Sequence, residues 1–96
     1  MDIVTIKKLL HQHKAVLLND YGVERIGIFG SYVKNEATEN SDIDILVDFS
    51  KPIGLFKFIT LEGYLTDLTH IKVDLVTRNS LKPAIGKRIL KEIEYV

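Results

Sequence analysis

Residues 42–49, DIDILVDF, constrain the fold more than any other stretch, because apolar and acidic residues alternate along them. This period of two predicts a β-strand with two different faces. Two isoleucines and a valine form one face and can pack against helices. Asp42 and Asp44 lie on the other face, where neighbouring anions repel and cost free energy to desolvate. One face of the strand is therefore predicted to pack in the core, and the other to belong to a functional site.

Helical and strand patterns alternate along the rest of the chain. The predicted order is a helix over 3–21 with Asp2 and Gly22 at its ends, a strand over 24–29, helical turns over 31–36, a strand over 42–49, a helix over 55–69, a strand over 71–77 and a helix over 81–94 with Ser80 as cap. Such alternation predicts an α/β (α+β) fold, a small mixed sheet with helices packed on it.

Length and composition predict one soluble domain over residues 1–96. The chain is 46% hydrophobic and 27% charged, which is typical of a globular protein. Thirteen basic residues balance thirteen acidic ones, so no overall field favours nucleic acid or a membrane as partner. The chain has no cysteine, no signal-peptide pattern and no apolar run long enough to span a membrane. We therefore expect a cytoplasmic location.

The paired aspartates suit a divalent cation. Side chains two apart on a strand share a face at about 6–7 Å along the strand, and Mg²⁺ prefers carboxylate oxygens together with water and substrate phosphates. A simpler interpretation is that Asp42 and Asp44 lie at the solvated start of a strand. An EF-hand is disfavoured, because the segment from Asp42 lacks the glycine and glutamate that such a loop needs.

Two further sequence features could complete a site for a cation and a phosphate group. Gly30 and Ser31 follow a strand, where backbone N–H groups, a helix dipole and the serine hydroxyl could hold a phosphate. The same turn could exist only to start a helix. Asp74 lies between two apolar residues of a later strand, and pairing beside Asp42 and Asp44 would bring three carboxylates to one edge.

These residues resemble a known family. The segment GSYVKNEATENSDIDILV, residues 30–47, is similar to the signature of the DNA polymerase beta-like nucleotidyltransferases, G-S-x-A-R-G-x-x-x-x-x-S-D-I-D-L. KVDLVT, residues 72–77, resembles the third acidic strand of that superfamily, and the ending at 81–96 resembles the minimal nucleotidyltransferase (MNT) branch. The resemblance implies a nucleotidyltransferase fold and a HEPN-domain ribonuclease toxin as partner.

The resemblance also implies roles for individual residues. Gly30 and Ser31 would hold the nucleoside triphosphate, ATP in the simplest case. Asp42 and Asp44 would bind one or two Mg²⁺ ions, and Asp74 would be the third carboxylate of the catalytic and metal site. The implied reaction transfers AMP to a tyrosine of the toxin, so that the protein acts as the antitoxin.

One departure from the signature changes both side-chain chemistry and backbone freedom. Lys34 and Asn35 stand where the signature has arginine and glycine. Lys34 keeps the positive charge for nucleotide binding without the bidentate fork, and Asn35 tolerates the left-handed conformation less easily than glycine. An antitoxin that acts by binding alone, and a small-molecule nucleotidyltransferase of the aminoglycoside-modifying type, are the alternatives. Homo- or hetero-oligomers are possible.

The remaining polar residues carry weaker signals. His11 and His13 point in different directions on a helix and do not predict a metal site. Asp48 is expected at the surface or behind the site, and Tyr32 either lines the nucleotide pocket or packs on the sheet. The closing helix is basic, which fits a solvated face or an acidic partner.

Overall fold

The computed structural model describes all 96 residues. The helices are α1 (Ile3–Gln12), α2 (Lys14–Tyr21), α3 (Leu55–Thr69) and α4 (Pro83–Glu92). The strands are β1 (Val23–Phe29), β2 (Ile43–Phe49), β3 (Val73–Thr77) and β4 (Glu94–Tyr95), and 3₁₀ turns cover Gly30–Tyr32 and Arg78–Ser80. None of the helices combines the length and the apolar character that a membrane crossing requires.

The four strands form one mixed sheet in the order β3-β2-β1-β4. Strand β2 pairs with β1 in antiparallel fashion and with β3 in parallel fashion, while β4 is antiparallel to β1. The α3 helix connects the parallel strands β2 and β3, as parallel pairing requires. The predicted α/β (α+β) fold with a small mixed sheet is confirmed.

The main core lies between one face of the sheet and helices α1, α2 and α3. Ile43, Ile45 and Val47 of β2 are completely buried there, as the alternation of residues 42–49 predicts. The helices contribute Ile6, Leu10, Leu17, Leu61 and Leu65. The apolar face of β2 is thus fully explained by folding.

The opposite face of the sheet is covered in part by α4. Ile89 of α4 packs on Leu46 and Phe29 in a smaller apolar cluster. Gly27 makes this packing possible, because a Cβ at that position would lie 2.6 Å from the Cδ1 atom of Ile93. Leu46 alternates with the isoleucines and so shares the face of Asp42 and Asp44. Asp42 and Asp44 therefore lie on the face of the sheet that α4 covers in part.

The first predicted helix is broken at His13. Its ring Nδ1 contacts the carbonyl oxygen of Leu9 at 2.8 Å, while its backbone N–H donates to Leu10 at 3.2 Å. The ring thus takes the acceptor that the next α-helical hydrogen bond would use. Residue 13 adopts φ −106° and ψ 14°, and a second helix begins at Lys14. The prediction of one continuous helix is wrong, whereas the caps at Asp2 and Gly22 are confirmed.

The closing helix is shorter than predicted. It begins at Pro83, with Lys82 rather than Ser80 in the capping position, and a proline is well tolerated in a first turn. It ends at Glu92, after which residues 94–95 pair with β1. The N–H of Val96 also donates to Ile26 at 2.9 Å. This fourth strand was not predicted, because two residues show no periodicity.

Helix α3 has the predicted bounds but buries only part of its apolar stripe. Leu61 and Leu65 are fully buried, whereas Leu55 and Ile59 are 70% and 54% exposed. The apolar side chains near its N-terminal end are therefore left largely exposed.

Candidate active site

The sheet brings the predicted carboxylates to one edge. Asp44 of β2 is the direct register partner of Asp74 on β3 and of Phe29 on β1. Asp42 lies two residues before Asp44, on the same face. Gly30 follows Phe29 directly, so the end of β1 lies next to the Asp44 side chain. Residues from three parts of the sequence therefore meet at one place.

Position 30 must be a glycine, because of its backbone conformation and because the Asp44 side chain lies directly against it. Its φ is +79°, a conformation that side chains other than hydrogen rarely adopt. A Cβ at position 30 would overlap the Asp44 Oδ2 atom and lie 3.0 Å from its Cγ. The glycine of the motif therefore accommodates the carboxylate of the same motif.

The turn after β1 differs from the predicted helix start. Residues 30–32 form a single 3₁₀ turn, continued by a hydrogen bond of 2.9 Å from the N–H of Glu36 to the carbonyl oxygen of Ser31. The prediction that Ser31 caps a helix is wrong, since Phe29 occupies the capping position and no side chain caps the turn. A turn this short has little macrodipole. Any anion here is held by individual donors.

Asn35 adopts the left-handed conformation expected of the signature glycine. Its φ is +59°, and asparagine is among the few residues that adopt this region readily. The replacement of the signature glycine by Asn35 therefore does not change the left-handed backbone conformation at this position.

Glu92, which sequence reasoning missed, lies against this turn. The N–H of Gly30 donates to its Oε1 atom at 3.3 Å, and the Lys34 ammonium lies 3.5 Å from its Oε2 atom. Glu92 is the last residue of α4 and is far from the motif in sequence. Only the folded packing of α4 reveals the contact.

The clustered charges change the acidity of Asp44. Its partial burial, together with the nearby negative charges of Asp74, Asp42 and Glu92, raises the pKa of the Asp44 carboxyl to about 6. An ionised Asp44 is therefore disfavoured by its surroundings, and a cation would relieve that cost.

The carboxylates suit a cation that other groups help to hold. No three His, Cys, Asp or Glu side chains converge in a ready-made metal site. Asp74 is exposed, and the Asp42 Oδ2 atom lies 3.9 Å from the exposed Lys72 ammonium. Mg²⁺ commonly takes one or two carboxylates and completes its shell with water and substrate phosphates. The donor set at this edge fits that kind of binding.

Asp44→Asn is expected to stabilise the protein at high pH. Because the folded pKa of about 6 exceeds the unfolded value of 3.8, the wild type loses stability as pH rises through 6. The neutral amide avoids that loss. After discounting for solvent screening of this half-buried group, we expect about 1–2 kcal/mol more stability for the variant at pH 8. Urea unfolding in EDTA at pH 8 and pH 4 measures this.

The gain should nearly vanish at pH 4, where wild-type Asp44 is protonated in the folded state. Glu39→Gln, in the exposed 37–41 loop, removes one negative charge elsewhere and should show no comparable pH dependence. A variant that is less stable than wild type at pH 8 would contradict the electrostatic account of Asp44.

Asp48 belongs to a separate cluster on the same face. It accepts hydrogen bonds from Arg78 at 2.9 Å and Arg25 at 3.1 Å, which hold the pKa of the Asp48 carboxyl below its usual range. Arg78 also donates to the Tyr95 hydroxyl at 3.0 Å. These contacts tie β4 to the sheet, so Asp48 has a structural role.

A cavity with a volume of about 740 Å³ lies at the opposite end of β2. It is lined by residues 47–55, Phe58 and residues 75–80, and it includes none of the predicted site residues. The only carboxylate in this cavity, Asp48, is bound by two arginines. The place where Asp44 meets Asp74 and Gly30 therefore remains the better candidate for an active site.

Comparisons with known proteins found similar sequences. The family described as nucleotidyltransferase domain matches residues 10–96. The protein adenylyltransferase MntA of Thermococcus cleftensis is 52% identical over 91 residues, which cover 95% of this chain and 92% of that protein.

Solved structures share the fold. A structure provisionally assigned as a minimal nucleotidyltransferase is 32% identical with a TM-score of 0.76, over 98% of this chain and 95% of that one. A chain from a crystal structure of a toxin–antitoxin with AMP-PNP is 26% identical with a TM-score of 0.71, over 88% of this chain and 69% of that one.

Proposed function

This chain belongs to the nucleotidyltransferase domain family, and we propose that it transfers AMP from ATP, with Mg²⁺, to a tyrosine hydroxyl of a HEPN-domain ribonuclease toxin. By doing so it acts as the antitoxin of that toxin. The observation that carries the proposal is the meeting of Gly30 with Asp44 and Asp74 at one edge of the sheet. This meeting supports the proposal, because nucleotidyl transfer requires a phosphate-binding turn beside carboxylates that can hold a metal.

The residues divide into two groups by role. Gly30, Ser31 and Lys34 bind the triphosphate through a backbone N–H, a hydroxyl and an ammonium group. Asp42, Asp44 and Asp74 hold one or two Mg²⁺ ions. A bound Mg²⁺ supplies positive charge that offsets the negative charge on the phosphates during transfer.

The reaction is a displacement at the α-phosphorus. The tyrosine oxygen forms a bond to that phosphorus, while the bond to the bridging oxygen of the β-phosphate breaks and pyrophosphate leaves with the electron pair. Asp74 is exposed at the edge of the site. It is therefore placed to orient the incoming hydroxyl and to take up its proton.

The openness of the site supports a protein as acceptor. Asp74 is exposed and β3 is the edge strand of the sheet, so a side chain carried on another protein can reach the carboxylates. The 52% identical relative is named a protein adenylyltransferase, and the toxin–antitoxin structure was determined with an ATP analogue. Both agree with transfer from ATP to a protein.

Labelled ATP tests the proposal. The protein is incubated with a HEPN-domain toxin encoded beside it, Mg²⁺ and ATP carrying the label on either the α- or the γ-phosphate. We expect α-label on the toxin and no γ-label, because pyrophosphate leaves. EDTA should abolish the labelling, and replacing the labelled tyrosine of the toxin by phenylalanine should remove the acceptor.

Two outcomes would overturn the proposal. Full neutralisation of the toxin without any label would indicate an antitoxin that acts by binding alone. Label on a small hydroxylated acceptor, with none on the toxin, would indicate a small-molecule nucleotidyltransferase.

A further inference from the structure

Glu92 occupies the donors that the proposed function assigns to the nucleotide. One carboxylate oxygen accepts from the Gly30 N–H at 3.3 Å, and the other lies 3.5 Å from the Lys34 ammonium. These are two of the three groups expected to hold the triphosphate. A carboxylate resembles a phosphate in bearing negative charge on oxygens that accept from such donors. The turn is thus already engaged by an anion of the same chain.

We propose that Glu92 is an internal substitute for a substrate phosphate, which holds the Gly30–Lys34 turn in its binding shape and is displaced when the nucleotide enters. This inference rests on the proposed function, because it takes the same turn to be the phosphate site. It makes Glu92 a residue that sets the affinity for nucleotide.

The packing of α4 decides which part of Glu92 moves. Ile89, one turn earlier, is buried on Leu46 and Phe29, and Ile93, the next residue, packs against Gly27. The backbone at residue 92 is therefore fixed to the sheet from both sides. The Glu92 side chain is 22% exposed, so part of it already reaches solvent. Displacement is a rotation of this side chain, with α4 left in place.

The charge at this position opposes an incoming phosphate. Glu92 adds a negative charge beside Asp44, since both side chains lie against Gly30. If both remained in place, a triphosphate would meet repulsion and lose the donors that Glu92 occupies. Each effect lowers the affinity of the wild type.

A role as a further metal ligand makes the opposite prediction. Both oxygens of Glu92 face cationic or N–H donors, which an oxygen bound to a metal would not require. If Glu92 bound the metal, its neutral amide would weaken nucleotide binding in Mg²⁺ and leave metal-free binding unchanged. The two roles are therefore separable by binding measurements alone.

The experiment compares Glu92→Gln with wild type by calorimetric titration of α,β-methylene-ATP, an analogue that cannot transfer AMP, in Mg²⁺ and in EDTA. Glu94→Gln is the matched control. It removes the same charge two residues away, where Glu94 pairs with Lys7 at 3.3 Å instead of with the turn. Glutamine keeps an oxygen that accepts from Gly30, and circular dichroism confirms that each variant is folded.

We expect Glu92→Gln to bind the analogue about fivefold or more tightly in both buffers, while Glu94→Gln binds as wild type does. Equal or weaker binding by Glu92→Gln, with wild type binding normally, would overturn the inference and leave the proposed function intact. A wild type and variants that all fail to bind the analogue in Mg²⁺ would overturn both.

Discussion

The double variant Asp42→Asn, Asp44→Asn is expected to transfer AMP at least ~10³-fold more slowly than wild type, because it removes the two carboxylates that we propose hold Mg²⁺ beside the phosphates. Asparagine preserves the size of each side chain, so the packing against Gly30 is retained. Only the charge and the affinity for the metal change. The rate is measured as incorporation of α-label into the toxin under single-turnover conditions.

A stability measurement on the double variant tests whether unfolding causes the loss of activity. Because ionised Asp44 opposes folding, the variant should unfold at higher urea concentration than wild type at pH 8 while having lost its activity. A residue whose removal stabilises the fold and abolishes the chemistry is retained for function. A double variant with more than a tenth of the wild-type rate would contradict the assignment of these aspartates.

Asp48 is a useful comparison with Asp42 and Asp44, because all three aspartates lie on the same face of β2. Its carboxylate is bound by Arg25 and Arg78, and it lies away from Gly30. The two carboxylate clusters on β2 therefore differ in role. Asp48 binds two arginines that hold the sheet together, whereas Asp42 and Asp44 are proposed to bind the metal.

The alternation of residues 42–49 was sufficient to predict much of the site. It placed Ile43 and Ile45 in the core and Asp42 and Asp44 on the opposite face, because strand side chains alternate regardless of the rest of the fold. The pairing of Asp44 with Asp74 followed once β2 and β3 were taken as neighbours. Local chemistry also predicted the cap at Asp2 and the left-handed tolerance of Asn35.

Other features depend on contacts between distant residues and have no local signal. Glu92 contacts Gly30 only because α4 packs on Leu46, which is decided by the whole sheet. Gly27 leaves room for Ile93 and Tyr95 at strand β4, but a glycine in a strand pattern does not indicate which residues pack against it. The break at His13 reflects one side-chain hydrogen bond to Leu9, which helical periodicity cannot report.

Gly30→Ala is expected to destabilise the protein by about 2–5 kcal/mol and to abolish nucleotide binding. Two costs add: the left-handed backbone at φ +79°, and the overlap of the new Cβ with the Asp44 carboxylate. Relief requires either the turn or Asp44 to move, and either movement separates the proposed phosphate donors from the proposed metal ligands. Urea unfolding and titration with α,β-methylene-ATP measure the two effects.

Gly22→Ala separates the backbone cost from the steric one. Gly22 has a similar φ of +70°, but a Cβ there would lie 3.6 Å from the Ser50 Oγ atom, an ordinary contact. We expect this variant to lose only about 1–2 kcal/mol, the backbone cost alone. The excess loss in Gly30→Ala then measures the overlap with Asp44.

A double-mutant cycle assigns that excess to one pair of residues. Asp44→Ala removes the carboxylate that the new Cβ would meet, so Gly30→Ala should cost about 1–3 kcal/mol less in that background than in wild type. The left-handed strain remains in both backgrounds and cancels. Additive losses would mean that position 30 is glycine for its backbone alone. A positive coupling would mean that Gly30 is needed because Asp44 must lie directly against the phosphate-binding turn, which joins the two halves of the site through one contact.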